Sequence, residues 1–137
     1  MQPLILGKHE FSSRLLTGTG RFSSLQRTTE ALTASGSQLC TLAVRRIDLG
    51  QTGTSALLKA LPPGMQILPN TAGCMTAQES LRVARLAREA LDTDLVKLEI
   101  LADPLTLYPN NAETIRGAQM LIDDGFTVLP YCGDDPV

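Results

Sequence analysis

Near the middle of the chain, the sequence reads Leu95-Val96-Lys97-Leu98-Glu99-Ile100. This short, largely apolar run predicts a β-strand, in which successive side chains point to opposite faces. Lys97 and Glu99 therefore share one face with Leu95, and Val96, Leu98 and Ile100 share the other. A strand covered on both faces would hold this lysine and this glutamate away from bulk water, so the pair is a candidate for chemistry.

Around this stretch, short apolar runs alternate with helical patterns, which predicts a single α/β domain over residues 1–137 with the order βαβαβαβαβ. The predicted strands are Leu15–Thr17, Leu39–Val44, Gln66–Asn70, Leu95–Ile100 and Phe126–Leu129. The predicted helices start at Ser23 or Ser24, Ser55, the Thr76 cap, and Asn110 or Asn111, and end at Ser35, Leu61, Leu91 and Asp124. Such alternation is typical of a parallel sheet with right-handed crossovers.

Two architectures fit this order. One is a doubly wound open sheet of about five strands, and the other is a (β/α)8 barrel truncated to its first five strands and four helices. Length favours the open sheet, because a full barrel needs about 250 residues and this chain has 137.

Inside a barrel, the face that carries Lys97 and Glu99 would meet the lumen near the carboxyl ends of the strands, where barrel active sites lie. A lysine shielded from water more readily supplies the neutral amine that attacks a carbonyl to form an imine. A glutamate two residues away could move protons in the same reaction. The spacing fits equally well an edge strand with a solvated Lys–Glu face, or an ion pair without chemistry.

Loops after two other predicted strands supply candidate substrate-binding residues. Asn70 and Thr71 follow the third strand and could orient a substrate, although small polar residues also simply form a turn before the Thr76 cap. Cys132 follows the fifth strand and could bring a thiol near the site, or it could serve in packing.

Composition argues against several classes of partner. The net charge of −2, the 4% aromatic content and the absence of Trp give no basis for binding nucleic acid. No apolar run approaches the roughly 20 residues of a membrane helix, and the N-terminus lacks a secretory pattern. The three cysteines, odd in number and far apart, indicate neither a disulfide framework nor a metal site, which favours the cytoplasm.

Taken in order, a series of motifs resembles the bacterial and plastid thiazole synthases of thiamine biosynthesis. The matching stretches are Ser13–Gly20, Ala34–Gly36, Thr41–Arg46, Leu68–Gly73, Thr76–Glu79, Leu86–Leu91, Val96–Glu99, Val128–Cys132 and Asp135–Val137.

The resemblance implies a (β/α)8 TIM barrel, in place of the open sheet that length favours. It implies that Lys97 forms an imine with 1-deoxy-D-xylulose 5-phosphate and that Glu99 acts as an acid–base residue. It further implies dehydroglycine as a second substrate, sulfur from a thiocarboxylated sulfur carrier protein, and no metal or organic cofactor. A homo-oligomer is expected, in the cytoplasm, or in the plastid stroma for a chain from an alga.

Family chains continue through three more strands, which carry a second catalytic carboxylate and the phosphate-binding loops. The first hypothesis is therefore the N-terminal half of a thiazole synthase. A second is a non-catalytic module that binds the sulfur carrier protein or its own subunits, and a third is another Schiff-base lysine barrel enzyme such as an aldolase.

Overall fold

The computed structural model describes residues 2–20, 22–46 and 53–134. The strands are β1 (Leu4–Leu6), β2 (His9–Phe11), β3 (Leu16–Gly18), β4 (Leu39–Ala43), β5 (Gln66–Asn70), β6 (Leu95–Leu98), β7 (Leu101–Asp103), β8 (Tyr108–Pro109) and β9 (Thr127–Pro130). The helices are α1 (Leu25–Ser35), α2 (Gly53–Lys59), α3 (Ala77–Leu91) and α4 (Asn111–Asp123), and a short 3-10 helix covers Val44–Arg46.

The main sheet has five strands in the order β3-β4-β5-β6-β9, with parallel pairing. Across the sheet, each strand therefore lies next to the strand of this sheet that precedes it along the chain. A doubly wound sheet reverses its strand order at a switch point, whereas successive strands of a (β/α) barrel follow one another without reversal. The predicted α/β class is confirmed, and the strand order is that of the first five strands of a barrel.

The described residues group into two compact units, one drawn from Met1–Leu42 and Arg46–Leu68, the other from Ala43–Arg45 and Pro69–Val137. The prediction of a single domain stays a prediction.

In the first unit, α1 begins where the sequence predicts. The Ser24 hydroxyl accepts a hydrogen bond from the Arg27 amide at 3.2 Å, which satisfies one of the unpaired donors at the helix start. Gly36 ends the helix in the left-handed conformation, with φ 64°, which costs glycine little. Helix α1 buries Thr28 and Leu32.

In the second unit, α3 and α4 pack closely because small residues line their contact. Helix α3 buries Ala77, Ser80, Ala84 and Ala87, and α4 buries Gly117 among its inward residues. The helical spacing of apolar residues in the sequence predicts that Leu86, Ile115 and Ile122 lie on the inward faces of these helices, but all three are exposed. The small side chains at the contact allow the two helices to approach closely, and this close contact leaves no space for bulkier side chains.

Element boundaries differ from the predictions in a few places. Helix α2 covers Gly53–Lys59 rather than Ser55–Leu61, and its last turn closes with a bond from the Leu61 amide to the Leu58 carbonyl before the two prolines. Strand β6 ends at Leu98, and Ile100 makes an isolated bridge with Cys74.

Two antiparallel hairpins, β1-β2 and β7-β8, were not predicted. Their strands have two or three residues each, too few for an alternating pattern to stand out. The side chain of Arg46 and the motif Asp135-Pro136-Val137 lie outside the described residues. None of the described helices is long and apolar enough to cross a membrane.

Candidate active site

Strand β6 lies in the interior of the sheet, between β5 and β9. This position excludes the edge-strand interpretation of the Lys–Glu pattern. The apolar side chains of the strand and of its continuation are fully covered. Val96 and Leu98 of β6, and Ile100 just beyond it, belong to one core cluster with residues of α3 and α4, and each is 0% exposed. Burial of each such side chain stabilises the fold by about 1.5–3 kcal/mol, which holds the strand, and with it the opposite face, in place.

Lys97 and Glu99 lie together on the opposite face. The Lys97 Nζ is 2.9 Å from the Glu99 Oε1, and the two side chains are 38% and 17% exposed. The amine is therefore reachable from outside, while the carboxylate beside it is largely shielded. An accessible amine paired with a shielded carboxylate can form an imine and exchange protons with it.

Asn70 lies beside this pair. It is in register with Lys97 on the neighbouring parallel strand, and strands in a sheet lie about 4.8 Å apart, so both side chains project from the same face. The Asn70 Oδ1 accepts a hydrogen bond from the Ala72 amide at 3.2 Å, which forms a tight turn after β5. The structure thus brings Asn70 next to the predicted catalytic lysine.

Thr71 has a different environment, since it is 0% exposed. Its Oγ1 donates to the Glu99 carbonyl and accepts from the Glu99 amide, both at 2.8 Å. The sequence did not point to this contact, because the two residues are 28 positions apart.

The turn after Thr71 is packed against Arg45, a contact that the sequence did not predict. Gly73 has φ 85°, and a Cβ there would lie 3.1 Å from the Arg45 Nη1. The Arg45 Nη2 is 4.0 Å from the Cys74 Sγ. Burial raises the pKa of the Cys74 thiol, and the nearby Arg45 guanidinium offsets part of this rise. The glycine at position 73 is the one feature of the sequence that indicates this turn, because a positive φ costs glycine little.

Cys132 lies two residues beyond the end of β9, and its side chain is exposed. The neighbouring Tyr131 amide donates to the Leu98 carbonyl at 2.8 Å, and the Gly133 amide donates to the Asn111 Oδ1 at 3.2 Å. The chain on either side of Cys132 is therefore anchored to β6 and α4. A substrate-binding role for Asn70, Thr71 and Cys132 stays a prediction. Among the described residues, no group of three or more His, Cys, Asp or Glu side chains is placed to hold a metal ion.

Comparison with known proteins gives the chain its relatives. Thiazole synthase of Photorhabdus laumondii subsp. laumondii is 56% identical over 128 residues, which cover 93% of this chain and 50% of the relative. Thiazole synthase of Methylobacillus flagellatus is 53% identical over 136 residues, 97% of this chain and 52% of the relative. The chain thus spans about half the length of these curated relatives.

A solved structure shares the fold. It is the crystal structure of the Amycolatopsis orientalis BexX/CysO complex, with a TM-score of 0.78 and 27% sequence identity over 96% of this chain and 55% of the matched one. The family model described as thiazole biosynthesis protein ThiG matches residues 5–137. With that match over almost its whole length, the chain belongs to the ThiG family of thiazole biosynthesis proteins.

Proposed function

We propose that this chain is the amino-terminal part of a thiazole synthase, and that it binds 1-deoxy-D-xylulose 5-phosphate as an imine on Lys97. The observation that carries the proposal is the 2.9 Å contact between the Lys97 Nζ and the Glu99 carboxylate on an interior strand. Relatives named thiazole synthase, about half identical to this chain, support it.

The geometry fits the steps of imine chemistry. One proton passes from the Lys97 ammonium to the Glu99 carboxylate, and the neutral amine that results attacks the ketone carbon of the sugar phosphate. As the new C–N bond forms, a second proton moves from the nitrogen to the ketone oxygen. Loss of that oxygen as water leaves the imine, and Glu99 is placed to deliver the proton that water needs. As a carboxylate, Glu99 can then remove a proton from the adjacent carbon, so that the electron pair moves toward the imine nitrogen.

Later steps need other participants. We propose that dehydroglycine supplies the C–N unit and that a thiocarboxylated sulfur carrier protein supplies sulfur. A protein partner is supported by the solved relative, which is a complex of BexX with a second protein, CysO. From the family resemblance we also propose a homo-oligomer. The free state of Cys40, Cys74 and Cys132 supports a reducing compartment such as the cytoplasm.

Borohydride trapping tests the imine directly. The chain is incubated with 1-deoxy-D-xylulose 5-phosphate and borohydride, and peptide masses locate the adduct among its three lysines, Lys8, Lys59 and Lys97. We expect the adduct on Lys97. It should be lost in Lys97→Arg, because an arginine side chain forms no such imine, and it should be retained in the matched control Lys59→Arg, which leaves Lys97 in place.

Other outcomes would overturn the proposal and name its replacement. Equal labelling of all lysines would mean nonspecific reaction. No adduct, with a sulfur carrier protein still bound, would favour a non-catalytic binding module. An adduct with an unrelated sugar phosphate, and none with deoxyxylulose phosphate, would favour an aldolase.

A further inference from the structure

The Thr71 hydroxyl makes two hydrogen bonds with one distant residue. It accepts from the Glu99 amide and donates to the Glu99 carbonyl, each at 2.8 Å, and the residue is 0% exposed. These distances are typical of strong hydrogen bonds. Because the hydroxyl has a single proton, and the Glu99 carbonyl receives it, Thr71 has no proton left to donate to a substrate.

This contact occurs where the sheet ladder stops. Strand β6 ends at Leu98, and the Thr71 amide makes the adjacent backbone bond, to the Lys97 carbonyl at 3.1 Å. At Glu99, one residue beyond the end of β6, the Thr71 hydroxyl makes the backbone hydrogen bonds that a neighbouring strand would otherwise make. Hydrogen bonds to both its amide and its carbonyl fix the position of the Glu99 Cα. The β-branch of threonine restricts the χ1 torsion of Thr71, which keeps the Oγ1 that makes these bonds in place.

We propose that Thr71 is a positioning residue that holds the Glu99 carboxylate against the Lys97 amine. The inference rests on the proposed function, because it assigns Thr71 an effect on the imine step through Glu99. Glu99 itself lies just beyond the regular strand, where its backbone would otherwise lack the support that the ladder provides to Lys97. A misplaced acid–base group loses much of its effect on rate, so the Thr71 hydrogen bonds affect how fast Glu99 can promote imine formation on Lys97.

The test compares rates of borohydride-trapped adduct formation on Lys97 with 1-deoxy-D-xylulose 5-phosphate. Thr71→Val keeps the shape and removes both bonds, and we expect it to slow trapping by about 10-fold or more. Thr71→Ser keeps the hydroxyl, and we expect it to stay within about 3-fold of the original rate. The matched control is Thr114→Val, since Thr114 is 3% exposed and its Oγ1 has no hydrogen-bond partner among the described residues.

A double-variant cycle separates positioning from a general loss of structure. If Thr71 acts through Glu99, Thr71→Val will slow a Glu99→Gln chain by no more than about 2-fold, although it slows the original chain by about 10-fold. An equal slowing in both backgrounds overturns the inference, and so does a folded Thr71→Val chain with the original rate. An equal loss in Thr71→Ser also overturns it, because the hydroxyl would then not be the cause.

Thermal melting of each variant shows whether it folds. If Thr71→Val does not fold, Thr71→Cys takes its place, because a thiol is of similar size and only a weak hydrogen-bonding group. Absence of any adduct on Lys97 in the original chain would overturn the proposed function. A normal adduct there, with no effect of the Thr71 variants in either background, would overturn this inference alone.

Discussion

Lys97 has a different surface exposure from its partner, and this difference suits their proposed roles. The lysine side chain is 38% exposed and the Glu99 side chain 17%. A substrate carbonyl can therefore reach the amine, while the carboxylate keeps few competing contacts with water. A partly exposed ion pair adds little to stability, about 0–1 kcal/mol. Folding alone therefore gives little reason for a charged pair on an interior strand, in keeping with the proposed chemistry.

Asp124, at the end of α4, forms ion pairs with two arginines of α3 and makes the stability of the fold depend on pH. Its carboxylate accepts bonds from Arg85 at 2.8 and 2.9 Å and from Arg88 at 3.0 Å. The hydrogen bond from Arg85 has the largest effect and holds the pKa of Asp124 below its usual value. Desolvation opposes it, and the charges of both arginines and the bond from Arg88 lower the pKa further. A lowered pKa stabilises the folded state above the unfolded-state pKa of about 3.9, and that contribution is lost as the pH falls through the folded-state value.

We therefore expect Asp124→Asn to reduce the acid sensitivity of the fold. Between pH 6 and pH 3, the melting temperature of the original chain should fall further than that of Asp124→Asn. Asp123→Asn is the control, because Asp123 accepts a bond from Gln119, an uncharged side chain. Equal acid shifts in Asp124→Asn and the original chain would contradict the assignment.

The contact between α3 and α4 depends on Gly117. A Cβ at this position would lie 2.9 Å from the Ile100 Cδ1 and 3.3 Å from the Ser80 Oγ, and Ile100 and Ser80 are both 0% exposed. We expect Gly117→Val to lower the free energy of unfolding by about 2–3 kcal/mol, because a larger side chain has no space there. The control Ala112→Val, at an exposed position of the same helix, should cost about 0.5 kcal/mol or less. Urea denaturation measures both, and equal losses would contradict the packing argument.

Helices were easier to predict than the short strands, because their ends depend on local chemistry. The caps at Ser24, Thr76 and Asn110 each accept a bond from an amide three residues ahead, as their sequence positions indicate. Glu79 completes the Thr76 end differently from a standard capping box: its carboxylate accepts from the Met75 amide. The two hairpins escaped prediction because pairing between segments of two or three residues leaves no pattern in the sequence.

The three cysteines report on the folding of the chain as a whole. Cys40 and Cys74 are buried, one in each compact unit, and Cys132 is exposed. Burial raises the pKa of the Cys40 and Cys74 thiols, which lowers the fraction of reactive thiolate. We expect a thiol reagent at pH 8 to modify Cys132 at least about 100-fold faster than the other two, whose reaction requires opening of the structure.

Mass mapping of the labelled peptides checks this order, and labelling in urea, where all three should react alike, is the control. Modification of Cys40 alone at the rate of Cys132 would show that the first unit opens readily, and of Cys74 alone that the second does. Either result would contradict the expected order of reactivity.

Residue order along the chain was enough to predict the α/β class, the helix caps, and the shared face of Lys97 and Glu99, because periodicity and capping are properties of neighbouring residues. It left open whether the strand of Lys97 was interior or at an edge, and it did not connect Thr71 with Glu99. Those features depend on which segments pair and in what register. Residues 28 positions apart meet only when the sheet brings β5 and β6 together, and no local pattern encodes that meeting.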